Sequence, residues 1–297
     1  MIQYTSCPIC SSHNIKEVLQ VKDYTVSAEV FPIFECADCT ARFTQNVAEE
    51  NEIGKYYQST NYISHSDTQE GFVNKLYHAV RKRTLKGKQK LVEKYVGKKT
   101  GNLLDIGAGT GAFVKTMQHA GWQVKGLEPD DAARVTALSQ NGVLLESLEE
   151  IEQFQENKFD AITMWHVLEH VHSLHHYCDI FQKILHEEAV LFIAVPNYTS
   201  ADASHYREHW AAYDVPRHLY HFSPKSMQVL MKSHGFEVKE MLPMWFDSSY
   251  VSMLSEQYKT GKSNLIAALW QGMTSNLKAL GKKELCSSVI YVCKKQS

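Results

Sequence analysis

The sequence predicts an α/β fold, in which helices cover a largely parallel β-sheet, preceded by a small cysteine-rich domain. From residue 102 onward, short apolar runs alternate with amphipathic helical segments, and such alternation is typical of parallel sheets. A glycine-rich turn follows the first of these runs, and two Cys-x-x-Cys pairs stand near the N-terminus. A chain of 297 residues with 44% hydrophobic content can bury an α/β core together with an appended domain.

The apolar runs place the strands of the sheet, and the segments with helical spacing lie between them. Ligands of such sheets bind at the carboxyl ends of the strands, so the residues that follow each run are candidates for a site. The predicted strands are 102–106, 122–127, 143–146, 159–165, 189–195, 236–242 and 287–293, and the predicted helices are 111–120, 130–141, 167–186 and 224–234.

Residues 103–111, LLDIGAGTG, carry the first binding motif. The three glycines allow a tight turn from strand to helix and let a ligand lie against bare backbone. Glu128 follows at the end of the next apolar run, 21 residues after Gly107. Because Gly107, Gly109 and Ala112 also satisfy the looser dinucleotide fingerprint, the spacing alone predicts a nucleoside cofactor and leaves a dinucleotide open.

From about residue 98 to the C-terminus, the chain resembles the class I S-adenosylmethionine-dependent methyltransferases in the order and content of four blocks. Besides the glycine loop, these blocks are FDAITMWHVLEHV at 159–171, LHEEAVLFIAVPN at 185–197 and HLYHFSP at 218–224. The resemblance implies a Rossmann-like sheet of seven strands, with strand seven antiparallel and placed between strands five and six. It also implies S-adenosylmethionine as the cofactor.

The same resemblance assigns cofactor contacts to the loop and to the strand ends. Asp105 matches the acid that lies near the methionine ammonium, directly or through water. Glu128 matches the acid that accepts hydrogen bonds from both ribose hydroxyls. The predicted cofactor-binding residues are Asp105, Gly107, Ala108, Gly109, Gly111, Glu128, Pro129, Trp165 and His166.

His166 is the candidate catalytic base. Methyl transfer from a sulfonium requires an aligned nucleophile and, where a proton is in the way, a group that removes it. His166 stands where the fourth strand ends, and a neutral imidazole there could accept a hydroxyl proton. In related enzymes this position often shapes the acceptor side instead. Glu169 and His170 are expected to anchor the helix that follows. His166 and His170 also permit a metal site, although the sequence identifies no third ligand.

Residues 196–222 form a long connection rich in His, Tyr and Trp, where we expect a lid over the acceptor. Within it, Asp214, Arg217 and His218 could instead form a hydrogen-bonded brace. A second long connection, the insertion at 245–282, is either a pocket wall or a dimer surface, so a homodimer is one expectation. The predicted acceptor-binding residues are Tyr57, His209, Trp210, Arg217, His218, Tyr220 and His221.

Two Cys-x-x-Cys pairs, separated by 25 residues, predict a structural zinc ribbon over residues 1–45. Zinc favours four thiolates in a tetrahedron, and each pair presents two from one tight turn. A small region with few apolar residues gains the free energy that it lacks from the metal. Four reduced cysteines without a metal are the alternative. The predicted ligands are Cys7, Cys10, Cys36 and Cys39.

Residues 46–97 connect the predicted ribbon to the core. Tyr56, Tyr57 and Tyr62 precede the core, and one of them could cover the cofactor or line the acceptor pocket, as the resemblance suggests. Residues 74–99 hold ten Lys or Arg against one acid, at helical spacing. This charge indicates a solvated outer face or attraction of a phosphorylated or nucleic-acid substrate. Without interleaved aromatic and basic residues, nucleic acid is not the expected partner.

The sequence therefore predicts a methyltransferase domain at 98–297 that acts on a small-molecule acceptor, with oxygen as the acceptor atom. The core resembles quinone-biosynthesis O-methyltransferases, whereas the cysteine pairs are similar to those of sugar C-methyltransferases, so C-methylation of a nucleotide-linked sugar is an alternative. A nucleotide-binding dehydrogenase and a non-catalytic interaction module are further alternatives. The chain has no apolar run approaching the ~20 residues that span a bilayer and no secretion-signal pattern, which predicts a cytoplasmic protein without membrane insertion.

Overall fold

The computed structural model describes residues 1–58, 72–245, 247–262 and 281–296, together with residues 272, 274 and 275. The strands of its main sheet are β4 (Asn102–Ile106), β5 (Gln123–Leu127), β6 (Phe159–Trp165), β7 (Leu185–Pro196), β9 (Phe236–Pro243) and β10 (Ser288–Lys295). Their order in the sheet is β5-β4-β6-β7-β10-β9. Most of the apolar core lies against this sheet, and the central strands β6 and β7 are buried along most of their length.

Hydrogen bonding fixes the direction of each strand. β4 pairs in parallel with β5 and β6, and β6 pairs in parallel with β7. β10 runs antiparallel to both of its neighbours, β7 and β9. The expected antiparallel last strand between two earlier strands is therefore confirmed, and the carboxyl ends of β4, β5, β6, β7 and β9 share one edge of the sheet.

The prediction of a strand at 143–146 is wrong. It contributes a single bridge, from Glu146 to Leu127, so the described sheet has six strands rather than seven. Val143 and Leu145 are buried whereas Leu144 is 74% exposed, which is the alternation of a strand. The segment nevertheless ends before a ladder forms, because a 3-10 helix begins directly afterwards, at Leu148–Gln153.

Helices cover both faces of the sheet. The basic segment forms one long helix, α1 (Phe72–Val96), whose residues Leu85, Leu91 and Val92 pack beside β4 and β7. The other helices are α2 (Ala112–His119), α3 (Asp131–Thr136), α4 (Leu174–Ile184), α5 (Ala201–Tyr206), α6 (Pro224–Ser233) and α7 (Asp247–Thr260), and a π-helix (Ala137–Asn141) follows α3.

The helix predicted at 167–186 begins later than expected. A 3-10 turn, Leu168–His170, comes first, and α4 starts only at Leu174. His166 has a φ of +60°, in the left-handed region, and Val171 is extended. The chain therefore leaves β6 through a turn, which places residues 166–170 at the sheet edge rather than along a helix.

The N-terminal domain forms a second sheet that it shares with the core. β1 (Ile15–Lys22) pairs with β2 (Val30–Cys36), β2 pairs with β3 (Arg42–Thr44), and β3 pairs with β8 (Tyr220–His221). Because β8 belongs to the predicted lid segment, the cysteine-bearing hairpin and that segment are continuous through backbone hydrogen bonds.

Two predicted regions lie partly outside the described residues. The described part of the insertion contains α7. Its residues Leu265, Ile266, Leu269 and Trp270, whose apolar spacing in the sequence is that of a helix, lie outside the described residues, as does Tyr62 of the connector. The connector ends its described part in a 3-10 helix, Ile53–Tyr57. Among the described residues, no helix combines the length and the apolar character that crossing a membrane requires.

Candidate functional site

The glycine loop lies between the end of β4 and the start of α2. Gly107 has a φ of +68°, and a Cβ added there would lie 2.3 Å from Cγ2 of Val167. The loop therefore packs directly against the turn that follows β6. Gly109 has a φ of +54°, and a Cβ added there would meet nothing within 4 Å, so open space lies above the loop. This combination suits a ligand that lies against bare backbone.

Glu128 directly follows β5 and faces the loop. Its Oε2 accepts a hydrogen bond of 2.7 Å from the backbone N–H of Gly109, and its Oε1 accepts one of 3.1 Å from Asp130. Burial raises the pKa of this carboxyl above its usual range, and the two N–H donors counteract that shift. Pro129 lies between Glu128 and Asp130, which caps the N-terminus of α3. The carboxylate is thus held in one orientation at the predicted ribose position.

Asp105 lies near the end of β4 and is almost completely buried. The hydroxyl of Thr163 donates a 2.6 Å hydrogen bond to its Oδ1. Burial raises the pKa of Asp105 to about 7, although the hydroxyl of Thr163 and the ammonium of Lys88 lower it. An enclosed carboxyl of this kind gains most from a cation, which is what the predicted contact with the methionine ammonium would supply.

Trp165 and His166 end β6 at the same edge. The ring of Trp165 packs edge-on against Phe113 at 5.6 Å. Nε2 of His166 lies 2.8 Å from Oδ2 of Asp247, and Nδ1 lies 3.4 Å from Oε1 of Glu169. Although burial lowers the pKa of His166, these two carboxylates raise it to about 10. The ring is therefore an imidazolium at neutral pH, not the neutral imidazole that the candidate base requires.

Three side chains that could bind a cation lie close to His166 in the chain or in space. Glu169, His170 and His218 each present one ligand atom within 4.8 Å of the others, so they could hold a cation. Glu169 is completely buried, and neither of its carboxylate oxygens has a hydrogen-bond partner among the described residues. Nδ1 of His218 donates to the carbonyl of Ala212 at 2.9 Å, and Nδ1 of His170 donates to that of Arg217 at 3.0 Å. This set contains His170 but not His166, so among the described residues it differs from the His166–His170 pair that the sequence offered for a metal.

Arg217 braces the predicted lid against the N-terminal domain. Its buried guanidinium bonds Asp214 at 2.6 Å, Asp23 at 3.0 Å and the carbonyl of Tyr56 at 2.8 Å. Burial lowers the pKa of Arg217, but the two carboxylates more than reverse that shift and raise it. Because Asp23 is on the hairpin between β1 and β2, this arrangement joins the N-terminal segment to the predicted lid. It contains the Asp214–Arg217 pair of the brace that the sequence offered as an alternative, whereas Nε2 of His218 lies 3.9 Å from Asp214.

The other predicted acceptor residues fall into separate places. Trp210 is buried and donates to Asp202, His221 contacts the hydroxyl of Thr44, and Tyr220 donates to the carbonyl of His172; all three lie inside the lid or its contact with the N-terminal domain. His209 lies farther out, 6.3 Å from the ring of Tyr24. The hydroxyl of Tyr57 lies 3.1 Å from Nδ1 of His170. The structure therefore brings Tyr57 and His218 together around His170, and the other five, Arg217 included, lie elsewhere.

The four N-terminal cysteines converge as the ribbon prediction requires. Sγ of Cys7 lies 3.5 Å from that of Cys39, and Sγ of Cys10 lies 3.6 Å from that of Cys36. Zn–S bonds of about 2.3 Å in a tetrahedron place the sulfurs about 3.8 Å apart, whereas a disulfide would need about 2.05 Å. All four are free thiols in the structure, and the set therefore fits a zinc ion.

Sequence reasoning missed two residues of this site, Lys88 and Asp247. The ammonium of Lys88 lies 4.3 Å from the centroid of the Trp165 ring. Its charge was attributed to the outer face of α1, but Lys88 falls on the same helical stripe as Leu91 and Tyr95, which pack against the sheet. This spacing could have predicted that Lys88 faces the sheet. No comparable pattern in the sequence could have placed Asp247, at the start of α7, in the site.

The chain matches a family described as a methyltransferase domain over residues 76–241. No curated protein sequence matches it significantly. The geranyl diphosphate C-methyltransferase of Streptomyces coelicolor A3(2), solved with Mg²⁺, geranyl diphosphate and S-adenosyl-L-homocysteine, is similar with a TM-score of 0.52 and 12% identity, over 78% of this chain and 88% of that one.

A putative sarcosine dimethylglycine methyltransferase of Galdieria sulphuraria is similar with a TM-score of 0.51 and 12% identity, over 75% of this chain and 88% of that one. At such low identity these two likenesses establish the fold. The family match covers more than half of the chain, including the glycine loop and the turn after β6.

Proposed function

The chain belongs to the methyltransferase domain family, and from that premise we propose that it transfers a methyl group to an oxygen atom of a small-molecule acceptor. Its enzyme class, an S-adenosylmethionine-dependent methyltransferase, is the one expected from the sequence, and this class replaces the dehydrogenase alternative. The observation that carries the cofactor in this proposal is the pairing of the glycine loop with Glu128, whose carboxylate is fixed by two backbone N–H groups. The choice of oxygen rests on the resemblance of the core to quinone-biosynthesis O-methyltransferases.

The residues at the sheet edge fit S-adenosylmethionine. A Cβ built on Gly109 meets nothing within 4 Å, which leaves the loop backbone accessible to a nucleoside. Glu128 presents carboxylate lone pairs where the resemblance places the ribose hydroxyls. Asp105 offers an enclosed carboxylate to the methionine ammonium. When bound, the cofactor supplies a methyl group that its sulfonium has already activated for in-line displacement. The chain must therefore align the acceptor and manage its proton.

We assign that proton management to His166 together with Asp247 and Glu169. In the structure Nε2 of the ring lies 2.8 Å from Asp247 and Nδ1 lies 3.4 Å from Glu169, and these carboxylates raise the pKa of the ring to about 10. Because both ring nitrogens face a carboxylate, an acceptor oxygen can receive a hydrogen bond only by sharing one of the two N–H groups with that carboxylate. The ring can act as a base only if its proton first moves to one of these carboxylates. Its left-handed backbone conformation at the end of β6 keeps the ring at the mouth of the site.

Zinc belongs to the same proposal as a structural ion held by the four N-terminal cysteines, which fit it in number and spacing. The metal would join the turn that holds Cys7 and Cys10 to the turn that holds Cys36 and Cys39, which connects β2 with β3. We assign it no part in methyl transfer, because four thiolates would complete its tetrahedral coordination and leave no open position for a substrate.

Calorimetric titration with S-adenosylhomocysteine tests the cofactor site. The wild-type protein should bind, and Glu128→Gln should weaken binding about tenfold or more, since an amide cannot accept from both hydroxyls and the two N–H donors at once. Glu146→Gln, at the end of the neighbouring bridge, is the matched control and should leave affinity unchanged. Absence of binding by folded wild-type protein would refute the proposal.

Turnover tests the role of His166. With an acceptor found by screening metabolites for release of S-adenosylhomocysteine, His166→Ala should reduce kcat by about two orders of magnitude or more while the cofactor Kd stays constant. Asp247→Asn should shift the pH profile of kcat to lower pH, because it removes the nearer carboxylate that raises the pKa of His166. Unchanged kcat in His166→Ala would exclude the assignment.

A further inference from the structure

A groove of about 700 Å³ lies beside the cofactor edge, between α1 and the end of β9. Its floor on the sheet side includes Leu242, Met244, Trp245 and Ile290. Strand register places it close to the reacting end of the site, because Ile290 pairs with Ala194, which pairs in turn with Trp165. Two strand spacings correspond to about 10 Å, within the length of a small molecule.

The helix side of the groove is basic. Arg83, Lys86 and Lys90 are exposed along its rim, and Lys88 reaches inward. The groove thus joins an apolar wall to a row of cations, and its volume is in the ordinary range for sites that bind small molecules. Such a combination matches a ligand that is apolar over most of its length and negatively charged at one end.

Lys88 connects this groove with the methyl-transfer edge. Within the described part of the chain, no hydrogen bond or ion pair reaches its ammonium, which lies over the ring of Trp165. The more distant carboxylates of Asp105 and Asp247 raise its pKa, but burial is the larger effect and lowers it to about 8. A partly buried cation with so little compensation is a position where an anion would bind favourably.

Gly87 supplies an independent observation on the same wall. It lies inside α1, where glycine costs about 1 kcal/mol relative to alanine. A Cβ added there would meet nothing within 4 Å, so packing among the described residues does not require a glycine. The position instead leaves the backbone of α1 bare where it lines the groove.

We infer that this groove binds the methyl acceptor, and that the acceptor is an apolar molecule carrying an anionic group, a carboxylate, sulfonate or phosphate, which pairs with Lys88. The inference rests on the proposed function and adds to it the chemical class of the substrate. A neutral acceptor would leave the inward cation unpaired, and a polymer would not need an apolar wall of this size.

Two fluorescent probes test the inference without knowledge of the true acceptor. 1-Anilinonaphthalene-8-sulfonate has an apolar body and a sulfonate, and N-phenyl-1-naphthylamine has the same body without the charge. Both are titrated into the full chain, with and without saturating S-adenosylhomocysteine. Lys88→Met should weaken binding of the sulfonate about tenfold and leave the neutral probe unaffected. Gly87→Leu should weaken both probes, because its side chain fills the groove.

Matched variants control for charge and folding. Lys94→Met makes the same change on an exposed turn of α1 that does not line the groove and should alter neither probe. Gly87→Ala should raise the thermal midpoint, which shows that the helix tolerates a side chain there. Equal loss of both probes in Lys88→Met, or undiminished binding in folded Gly87→Leu, would overturn the inference.

The probe titrations can fail while the proposed function holds, and the reverse is also possible. Calorimetry with S-adenosylhomocysteine judges the cofactor site, whereas the probes judge the groove even in protein that lacks cofactor. If Lys88→Met weakens S-adenosylhomocysteine and leaves the sulfonate probe unchanged, the anion that pairs with Lys88 is the cofactor's own carboxylate, and the assignment to the acceptor is wrong.

Discussion

Burial raises the pKa of Asp105, and two neighbouring groups, Thr163 and Lys88, favour its ionised form. Thr163 donates a hydrogen bond to its carboxylate form, and Lys88 contributes a positive charge from α1, yet the pKa remains about 7. Burial therefore outweighs both. A ligand that brings a cation beside this group would favour the ionised form and release a proton as it binds.

Cofactor affinity should accordingly depend on pH. Below about pH 7, Asp105 is protonated in the free protein, so binding of S-adenosylhomocysteine must expel that proton, and affinity should fall by up to about tenfold per pH unit. Above that pH the carboxylate is already formed and the affinity should level off. Calorimetry between about pH 5.5 and 8, in two buffers of different ionisation enthalpy, measures the affinity and the proton release. Asp105→Asn should bind weakly with a flat profile; a flat wild-type profile would contradict this role.

At the scale of elements, the site depends on how closely the glycine loop approaches the turn after β6. Gly107 and Gly109 both have positive φ, but only Gly107 faces a neighbour, Val167, at a distance that no Cβ tolerates. The two positions therefore separate backbone strain from steric overlap. The sequence predicted the loop from its glycine spacing but could not predict this contact, because it depends on the turn that replaced the start of a predicted helix.

Alanine substitutions should differ accordingly. Gly109→Ala should lower the free energy of unfolding by about 1 to 2 kcal/mol, from left-handed backbone strain alone. Gly107→Ala should lower it by about 2 to 5 kcal/mol, since overlap with Val167 is added. Urea unfolding measures both, and Val167→Ala in the Gly107→Ala background should recover part of the loss. Equal destabilisation by the two alanines would show that the loop does not pack on Val167.

Most strands of the main sheet could be predicted from the sequence, whereas contacts between elements that are distant in the chain could not. The apolar runs predicted β4, β6, β7 and β10, because burial on both faces leaves a nearly continuous apolar run in the chain. They also predicted β5 and β9, where apolar residues alternate with exposed polar ones. It failed at 143–146, where two buried residues gave a strand pattern too short to form a ladder. Asp247 escaped prediction for another reason: its meeting with His166 joins positions 81 residues apart in the chain, and no local pattern encodes such a contact.

At the scale of the whole molecule, the cysteine domain and the lid segment form one structural unit. β3 pairs with β8, the backbone N–H of Thr44 donates to the carbonyl of Leu219, and Tyr198 donates to the carbonyl of Thr40, which directly follows Cys39 of the second cysteine pair. Arg217 adds a buried ion pair with Asp23 across the same boundary. An ion held by the cysteines would therefore stabilise the backbone beside Glu169 and His218, far along the chain from the knuckles.

Loss of zinc should loosen the lid more than the cofactor loop. Cys10→Ser, or chelation of the wild-type protein, should raise amide hydrogen exchange at 218–222, because β8 loses the strand on which it pairs, while β4, enclosed by β5 and β6, should stay protected. Metal analysis must show about one zinc per chain before treatment and none after it. The control is Cys178→Ser, which changes a buried cysteine of α4 away from the knuckles and should retain the metal. Uniform exchange across both segments would mean that the ribbon supports the entire fold, and unchanged exchange at 218–222 would mean that β8 holds its place without it.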